Sequence, residues 1–317
     1  MNRKTPVALF TYDRPQHTQL ALESLAACDR LDECQLYIYC DQAKGDAHLA
    51  GVAAARKVVR EWAPRLSAIV IERNENFGLA RSIVGGITDL CDKYGRAIAI
   101  EDDFVLSPDF LDFMLRGLER YEQTSEVYQI SGYMFPVVNP PEPQAFFMKL
   151  STTWGWATWQ RAWSTFDWRA MQSHELFSKP AVRRSFDLDG SYPYSSMLEQ
   201  RLSGMNDSWG ILWWWNVFRQ RALVLYPRQS LVWVGGFDGS GTHCDDATDV
   251  NLDTIERFKQ YRLPTSYDLP NQLIEAENPM KAVKEFLRQQ QILSKRSMEM
   301  RLRRRLRKLF SMVNRAQ

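Results

Sequence analysis

The sequence predicts an α/β protein built on a mainly parallel sheet flanked by helices. Two observations carry this reading. Short apolar runs alternate with helical patterns four times in the first hundred residues. Connections of that kind are right-handed crossovers between parallel strands. The runs also lead into polar clusters: Asp13-Arg14, Asp41, Asn74 to Gly78, and Glu101-Asp102-Asp103. Such sheets bind ligands outside the carboxyl ends of their strands, so these clusters mark one candidate site.

Val7 to Thr11 reads as a buried strand, and Pro15 suits the first turn of the helix behind it, which runs to about Ala27. Leu20, Ala21, Ser24 and Leu25 fall on one face of that helix. Gln35 to Cys40 is the second strand and Ala47 to Trp62 the second helix. Ser67 to Glu72 and Leu79 to Lys93 repeat the pattern, and Arg96 to Ile100 is the fourth strand. Ser107-Pro108-Asp109 is expected to cap a helix reaching about Tyr121, with a strand over Val127 to Tyr133 behind it. Asn139 to Pro143 is a loop, and Phe146 to Leu150 a short strand leading into the tryptophan-rich run Thr153 to Trp159. A very apolar helix is expected from Trp209 to about Arg221, then strands over Leu223 to Tyr226 and Leu231 to Val234. From about Glu256 the chain turns polar and helical. The expected organisation is a ligand-binding and catalytic domain over 1–255 and a helical extension over 256–317 with a basic amphipathic end.

The chain has 317 residues, 45% hydrophobic and 25% charged, an ordinary globular balance that excludes a wholly disordered chain. Net charge is +2, but residues 295–317 hold nine Lys or Arg and one Glu, so the preceding residues sum to −6. A basic footprint over the whole domain is absent, and nucleic acid is not an expected partner. The five cysteines, Cys28, Cys34, Cys40, Cys91 and Cys244, include no CxxC pair, which suits a reducing compartment. A strand begins almost directly after Met1-Asn2-Arg3-Lys4, so no signal peptide is expected, and no apolar run approaches 18 residues. The expected location is cytoplasmic.

Glu101-Asp102-Asp103 follows the apolar run Ala97 to Ile100. Adjacent carboxylates repel unless a cation or hydrogen-bond donors offset them. Hard oxygen ligands at a strand end suit Mg²⁺ or Mn²⁺, which complete their shells with phosphate oxygens and water. The alternative is a solvated acidic loop before the next helix.

The segment IAIEDDFVLSPDFLDFM resembles the metal-binding segment of the GT-A glycosyltransferases, especially of the N-acetylglucosaminyltransferase I type. ALFTYDRP, YIYCD and ENFGLARSIVGGI resemble that family's other nucleotide-facing segments in the same order, so the resemblance covers roughly residues 5–135. It implies a GT-A-like, Rossmann-like fold. It implies that Asp103 binds the metal, Mn²⁺ or Mg²⁺, that holds the donor diphosphate. It further implies nucleotide contacts from Thr11, Arg14, Asp41, Asn76, Gly78, Arg81, Glu101 and Asp102. Asp102 would face the ribose, Glu101 the nucleoside side, and Asp41 the base. The family has a His where Ser82 stands after Ala80-Arg81. Taken singly, Arg14 also reads as a surface residue and Asp41 as a turn residue. The later segments WGWATW, NDSWG and GFDGSGTHC resemble bacterial polysaccharide glycosyltransferases.

Asp207 is the candidate general base, since an inverting transfer needs a carboxylate to take the acceptor hydroxyl's proton. The alternative is that Asp207 or Ser208 caps the helix at Trp209. Trp209, beside Asp207, is the indole expected to meet a sugar acceptor, with most other tryptophans in the core. The glycine-rich run Gly235 to Cys244 could close over a diphosphate, with Gly239 in the turn and Ser240 and His243 as donors; an ordinary surface loop is the alternative. Between Ser297 and Val313, Met298, Leu302, Leu306, Leu309, Phe310 and Val313 share a helical face among basic residues. That pattern suits an anionic membrane surface or a partner subunit.

The expected activity is therefore an inverting, metal-dependent hexosyl- or N-acetylhexosaminyltransferase. It would move a sugar from a UDP-type donor to a hydroxyl of a bacterial surface glycan or glycolipid, while held peripherally on the inner face of the cell membrane. A sugar nucleotidyltransferase would share the sheet and carboxylates, but would place a glycine-rich basic loop where TYDRPQHT stands. A non-catalytic carbohydrate- or membrane-binding protein would explain the tryptophans and tail but not the acidic triplet.

Overall fold

The computed structural model describes residues 4–137, 143–235, 258–264 and 267–293. The first hundred residues form β1 (Thr5–Thr11), α1 (Pro15–Ala26), β2 (Cys34–Cys40), α2 (Asp46–Trp62), β3 (Ile69–Glu72), α3 (Gly78–Tyr94) and β4 (Arg96–Glu101). Then come β5 (Phe104–Leu106), α4 (Phe110–Arg120), β6 (Val127–Ser131), β7 (Ala145–Met148) and β8 (Trp156–Trp159). Four helices follow α5 (Gln160–Trp163): α6 (His174–Ser178), α7 (Pro180–Phe186), α8 (Tyr194–Leu202) and α9 (Trp209–Arg219). The last strands are β9 (Leu223–Pro227) and β10 (Val232–Val234), and residues 277–293 are helical.

The main sheet has the order β3-β2-β1-β4-β8-β6-β9-β7. β1 is parallel to β2 and β4, and β2 to β3. β8 is antiparallel to both β4 and β6, which makes β6 parallel to β4 again. β9 is parallel to β6, and only β7 beyond it reverses. The result is the mainly parallel, helix-flanked, Rossmann-like sheet that the sequence predicts.

Side chains alternate along each strand, and both faces are covered, so the strands read as continuous apolar runs. Ala8 and Phe10 of β1 enter one core with Ile83, Ile87 and Leu90 of α3, the indoles of Trp156, Trp163, Trp209 and Trp213, and Val283. Val7 and Leu9 enter the other with Leu22 and Leu25 of α1 and Phe110, Phe113 and Leu118 of α4. The described residues beyond 257 pack on both. Leu263 and Tyr267 join the α1/α4 core, while Met280 and Leu287 join the tryptophan-rich one. Residues 255 and 256, where the domain boundary is expected, and the basic end from 294 lie outside the described residues. Among the described residues no helix is long and apolar enough to cross a membrane.

Three local expectations change. Trp156–Trp159 is itself a strand, inserted between β4 and β6, with Trp156 and Trp159 both buried. Phe104–Leu106 forms a small second sheet with β10. Asp109 precedes α4 but makes no side-chain cap bond. Its carboxylate instead accepts from Arg262 Nη1 at 3.0 Å and from the Leu263 amide at 2.6 Å. Both carboxylate oxygens are thereby engaged by residues far along the chain, and neither is turned to the opening amides of α4.

Candidate active site at the carboxyl ends of the parallel strands

Register places the site. Thr11 pairs with Cys40, and Phe10 with Glu101, so β1, β2 and β4 end at one level. Tyr12, Asp41 and Asp102 therefore leave the sheet side by side. The Arg14 guanidinium then bridges two carboxylates, with Nη2 2.6 Å from Asp102 Oδ1 and Nη1 3.3 Å from Asp103 Oδ2. The Tyr12 amide donates to Asp102 Oδ2 at 3.1 Å. Asp102 thus has both oxygens engaged, whereas Asp103 Oδ1 is buried and has no hydrogen-bond partner among the described residues.

The electrostatics follow from crowding and burial. Burial, with the charges of Asp103 and Asp102 added, pushes Glu101 well above the usual carboxylate range. Burial also pushes Asp102 up to about 6, although Arg14 pulls the other way. Burial opposes the Arg14 charge, but the two carboxylates outweigh it and hold the guanidinium protonated. Arg14 stands as the counter-ion of the triplet, and the solvated-loop alternative does not describe it.

Asp41 has a different environment. Its Oδ1 accepts from the amides of Gln42 and Phe77, both at 2.9 Å. Its Oδ2 accepts from the Gly78 amide at 2.9 Å and from Asn76 Nδ2 at 3.2 Å. A carboxylate offers about four lone-pair positions, and here each is used. The opening amides of α3 have no intrahelical acceptor, so Asp41 caps that helix from across the sheet, where a negative charge is favoured. Gly78 carries φ +71, the left-handed conformation that glycine adopts without strain.

The remaining expected residues are distributed as follows. The Thr11 carbonyl accepts from the Asp41 amide at 3.1 Å. Arg81 is exposed, and its guanidinium lies 4.8 Å from the Phe77 ring centre, with that of Arg73 at 3.9 Å from the same ring. Ser82 Oγ is buried without a hydrogen-bond partner among the described residues. Ser208, not Asp207, caps α9, its Oγ accepting from the Ile211 amide at 3.4 Å. Asp207 is exposed. The start of α9 lies at the same sheet end as the triplet: a methyl group at Gly210 would sit 3.1 Å from Thr153 Oγ1, and Thr153 precedes Trp156, which pairs with Ala99 near the end of β4. Trp209 is 4% exposed and packs on Trp156 and Trp163, while Trp168 is 42% exposed. Gly239, Ser240 and His243 lie outside the described residues. Their run starts at the triplet, since the Gly235 amide donates to the Asp103 carbonyl at 2.7 Å.

Sequence reasoning passed over Tyr12 and His17. A methyl group at Gly235 would sit 3.1 Å from the Asp103 carbonyl oxygen and 3.4 Å from His17 Cδ2, so His17 borders the triplet. Its place one turn after Arg14 on α1 was the available signal.

Among the described residues no three His, Cys, Asp or Glu side chains are grouped to hold a metal ion unaided. One bare buried carboxylate oxygen does suit Mg²⁺ or Mn²⁺, which take one or two carboxylates and fill the rest with phosphate oxygens and water.

No family model and no curated protein matches this chain. Among solved structures it is similar to glucosyl-3-phosphoglycerate synthase from Mycobacterium tuberculosis, determined with Mn²⁺, UDP and glucosyl-3-phosphoglycerate. That match has a TM-score of 0.33 and 10% identity, over 52% of this chain and 58% of that one. Mouse xyloside xylosyltransferase 1 matches at TM-score 0.35 and 11% identity, over 69% and 82%. The 4-diphosphocytidyl-2C-methyl-D-erythritol synthase of Anaerococcus prevotii matches at TM-score 0.32 and 6% identity, over 51% and 74%. Matches at this level define neither a family nor an activity.

The four-bond arrangement at Asp41 has a direct consequence. Asp41→Ala leaves the α3 amides without their acceptor and should destabilise the protein by about 1–3 kcal/mol, the scale of unsatisfied buried donors. Denaturant unfolding checks this, and an unchanged midpoint would show that water replaces the carboxylate at no cost.

Proposed function

We propose that the chain is an inverting, metal-dependent glycosyltransferase. It transfers a hexosyl or N-acetylhexosaminyl group from a nucleotide-diphosphate sugar, UDP-linked in this reading, to a hydroxyl of a bacterial surface glycan or glycolipid. The observation that carries the reading is Asp103. It presents one bare, buried carboxylate oxygen at the strand ends, inside a carboxylate cluster balanced by Arg14. Mn²⁺ or Mg²⁺ held there by Asp103 and the donor's phosphates would offset the charge that develops on the departing diphosphate.

The protein's own groups divide the remaining work. Arg14 holds Asp102 and Asp103 in register and keeps positive charge beside the diphosphate. Asp207, exposed at the start of α9, takes the proton of the acceptor hydroxyl. The hydroxyl oxygen bonds to the anomeric carbon as the bond from that carbon to the diphosphate oxygen breaks. The leaving nucleotide keeps the electron pair. Nucleotide contacts from Glu101, Asp102, Asn76, Gly78 and Arg81 belong to the same reading; Trp209, buried against Trp156 and Trp163, is not placed to meet an acceptor. The sequence pattern of residues 297–313 supports an anionic membrane surface as a further partner, and a peripheral position on the inner face of the cell membrane belongs to the same reading.

Three outcomes are expected. Asp103→Ala should abolish Mn²⁺-dependent UDP binding in calorimetry while thermal unfolding stays cooperative; equal affinity would remove Asp103 from the site. With a donor and acceptor found by nucleotide release, Asp207→Asn should keep donor affinity and lower turnover by roughly 10²-fold or more, the scale of a lost general base. Turnover equal to wild type would leave Asp207 no part in proton transfer. Full-length protein should sediment with vesicles containing anionic lipid and be released by high salt, because exposed charges are screened. A chain ending at Ser294 should stay in solution, and equal sedimentation of the two would exclude the tail as the membrane contact.

A further inference from the structure

We infer that His48 is a positioning residue for the donor site. It acts through Asp13 on the elbow Tyr12-Asp13-Arg14, and the inference rests on the donor-site reading above. His48 lies in the first turn of α2. Its Nδ1 is 2.6 Å from Asp13 Oδ2. The His48 ring packs on Tyr12 with centroids 5.4 Å apart, and the Tyr12 hydroxyl accepts from the Lys44 amide at 3.0 Å. Gly51, one turn further along α2, meets the Asp13 backbone so closely that a methyl group there would lie 2.6 Å from the Asp13 carbonyl oxygen.

The same three residues also hold the triplet. The Tyr12 amide donates to Asp102, and Arg14 pairs with Asp102 and Asp103. Three consecutive residues therefore span the gap between α2 and the carboxylates. The two outer ones are fixed to the triplet, and the middle one is fixed to α2. A hydrogen bond from imidazole to carboxylate sets the ring orientation and, in return, pins the carboxylate's backbone. His48 itself is 42% exposed, so it adds little to the core. Its consequence is the angle at which Arg14 meets Asp102 and Asp103. Ordering that guanidinium before the ligand arrives spares the binding step the entropy of ordering it.

The test uses full-length protein and UDP with Mn²⁺, read by calorimetry. His48→Ala should weaken UDP binding about tenfold, the scale of one lost charge-assisted hydrogen bond. His48→Asn should restore it, because the asparagine amide can donate to Asp13 from nearly the same position as Nδ1. Both variants should keep the wild-type melting midpoint. Equal affinity in wild type and His48→Ala would overturn the inference, as would failure of His48→Asn to rescue. If wild-type protein binds no UDP, the donor-site reading falls and takes this inference with it. If wild type binds and the alanine variant binds equally, only this inference falls.

Discussion

The contact between Arg14 and the paired carboxylates of Asp102 and Asp103 is the constraint around which the strand-end region is arranged. Three acidic residues in succession at the end of a buried strand repel each other, and burial raises the cost of the Glu101 and Asp102 charges. One guanidinium offers a planar fork that can face two carboxylates at once, which a lysine ammonium cannot do. Bringing it there requires β1 and β4 to be neighbours in register, and the pairing of Phe10 with Glu101 supplies that. A partly buried ion pair of this type contributes little net stability against a hydrophobic substitute. The two well-filled cores, and not this ion pair, supply the stability of the sheet.

Asp41 and Asp103 show how environment separates two residues of the same type. Asp41 is filled by four donors and ties β2 to the start of α3. A ligand reaching it must displace one of those bonds. Asp103 keeps one oxygen bare. Capacity to bind resides where hydrogen-bonding potential is left over, which is why the proposed metal role falls on Asp103 and not on Asp41. The nucleotide contact expected at Asp41 has to be made in competition with α3. The same reasoning sets Trp209 against Trp168. The sequence places Trp209 beside the candidate base, but packing turns its ring into the core and leaves Trp168 outside.

Much of the sheet was legible because each parallel strand is a short apolar run followed by a polar cluster and a helix. That pattern depends only on local sequence and on burial of both faces. β8 was not legible. Four residues are too few for a period to show, and tryptophans read equally well as loop or helix. The cap expected at Asp109 failed because Arg262 and Leu263, far along the chain, claimed the carboxylate. The pairing of Asp13 with His48 was invisible for a related reason. It crosses from the end of β1 to the start of α2, and nothing in the spacing of the two residues indicates it. Long-range polar pairs form where side chains compete for few partners, and sequence periodicity does not record that competition.

The placement of Asp207 rests on a reversal in the sheet. Had β8 been one more parallel strand, β6 and β9 could have joined by crossovers alone. As an antiparallel insertion it reverses direction once on each side, so β6 resumes the direction of β4. β9 then follows β6. α9 feeds β9 through a short turn after Arg219, and its start meets Thr153 just before β8, at the carboxyl ends of the parallel strands. Asp207 sits just before that start, with Ser208 taking the cap. Division of labour at this terminus leaves the aspartate carboxylate exposed and the helix satisfied.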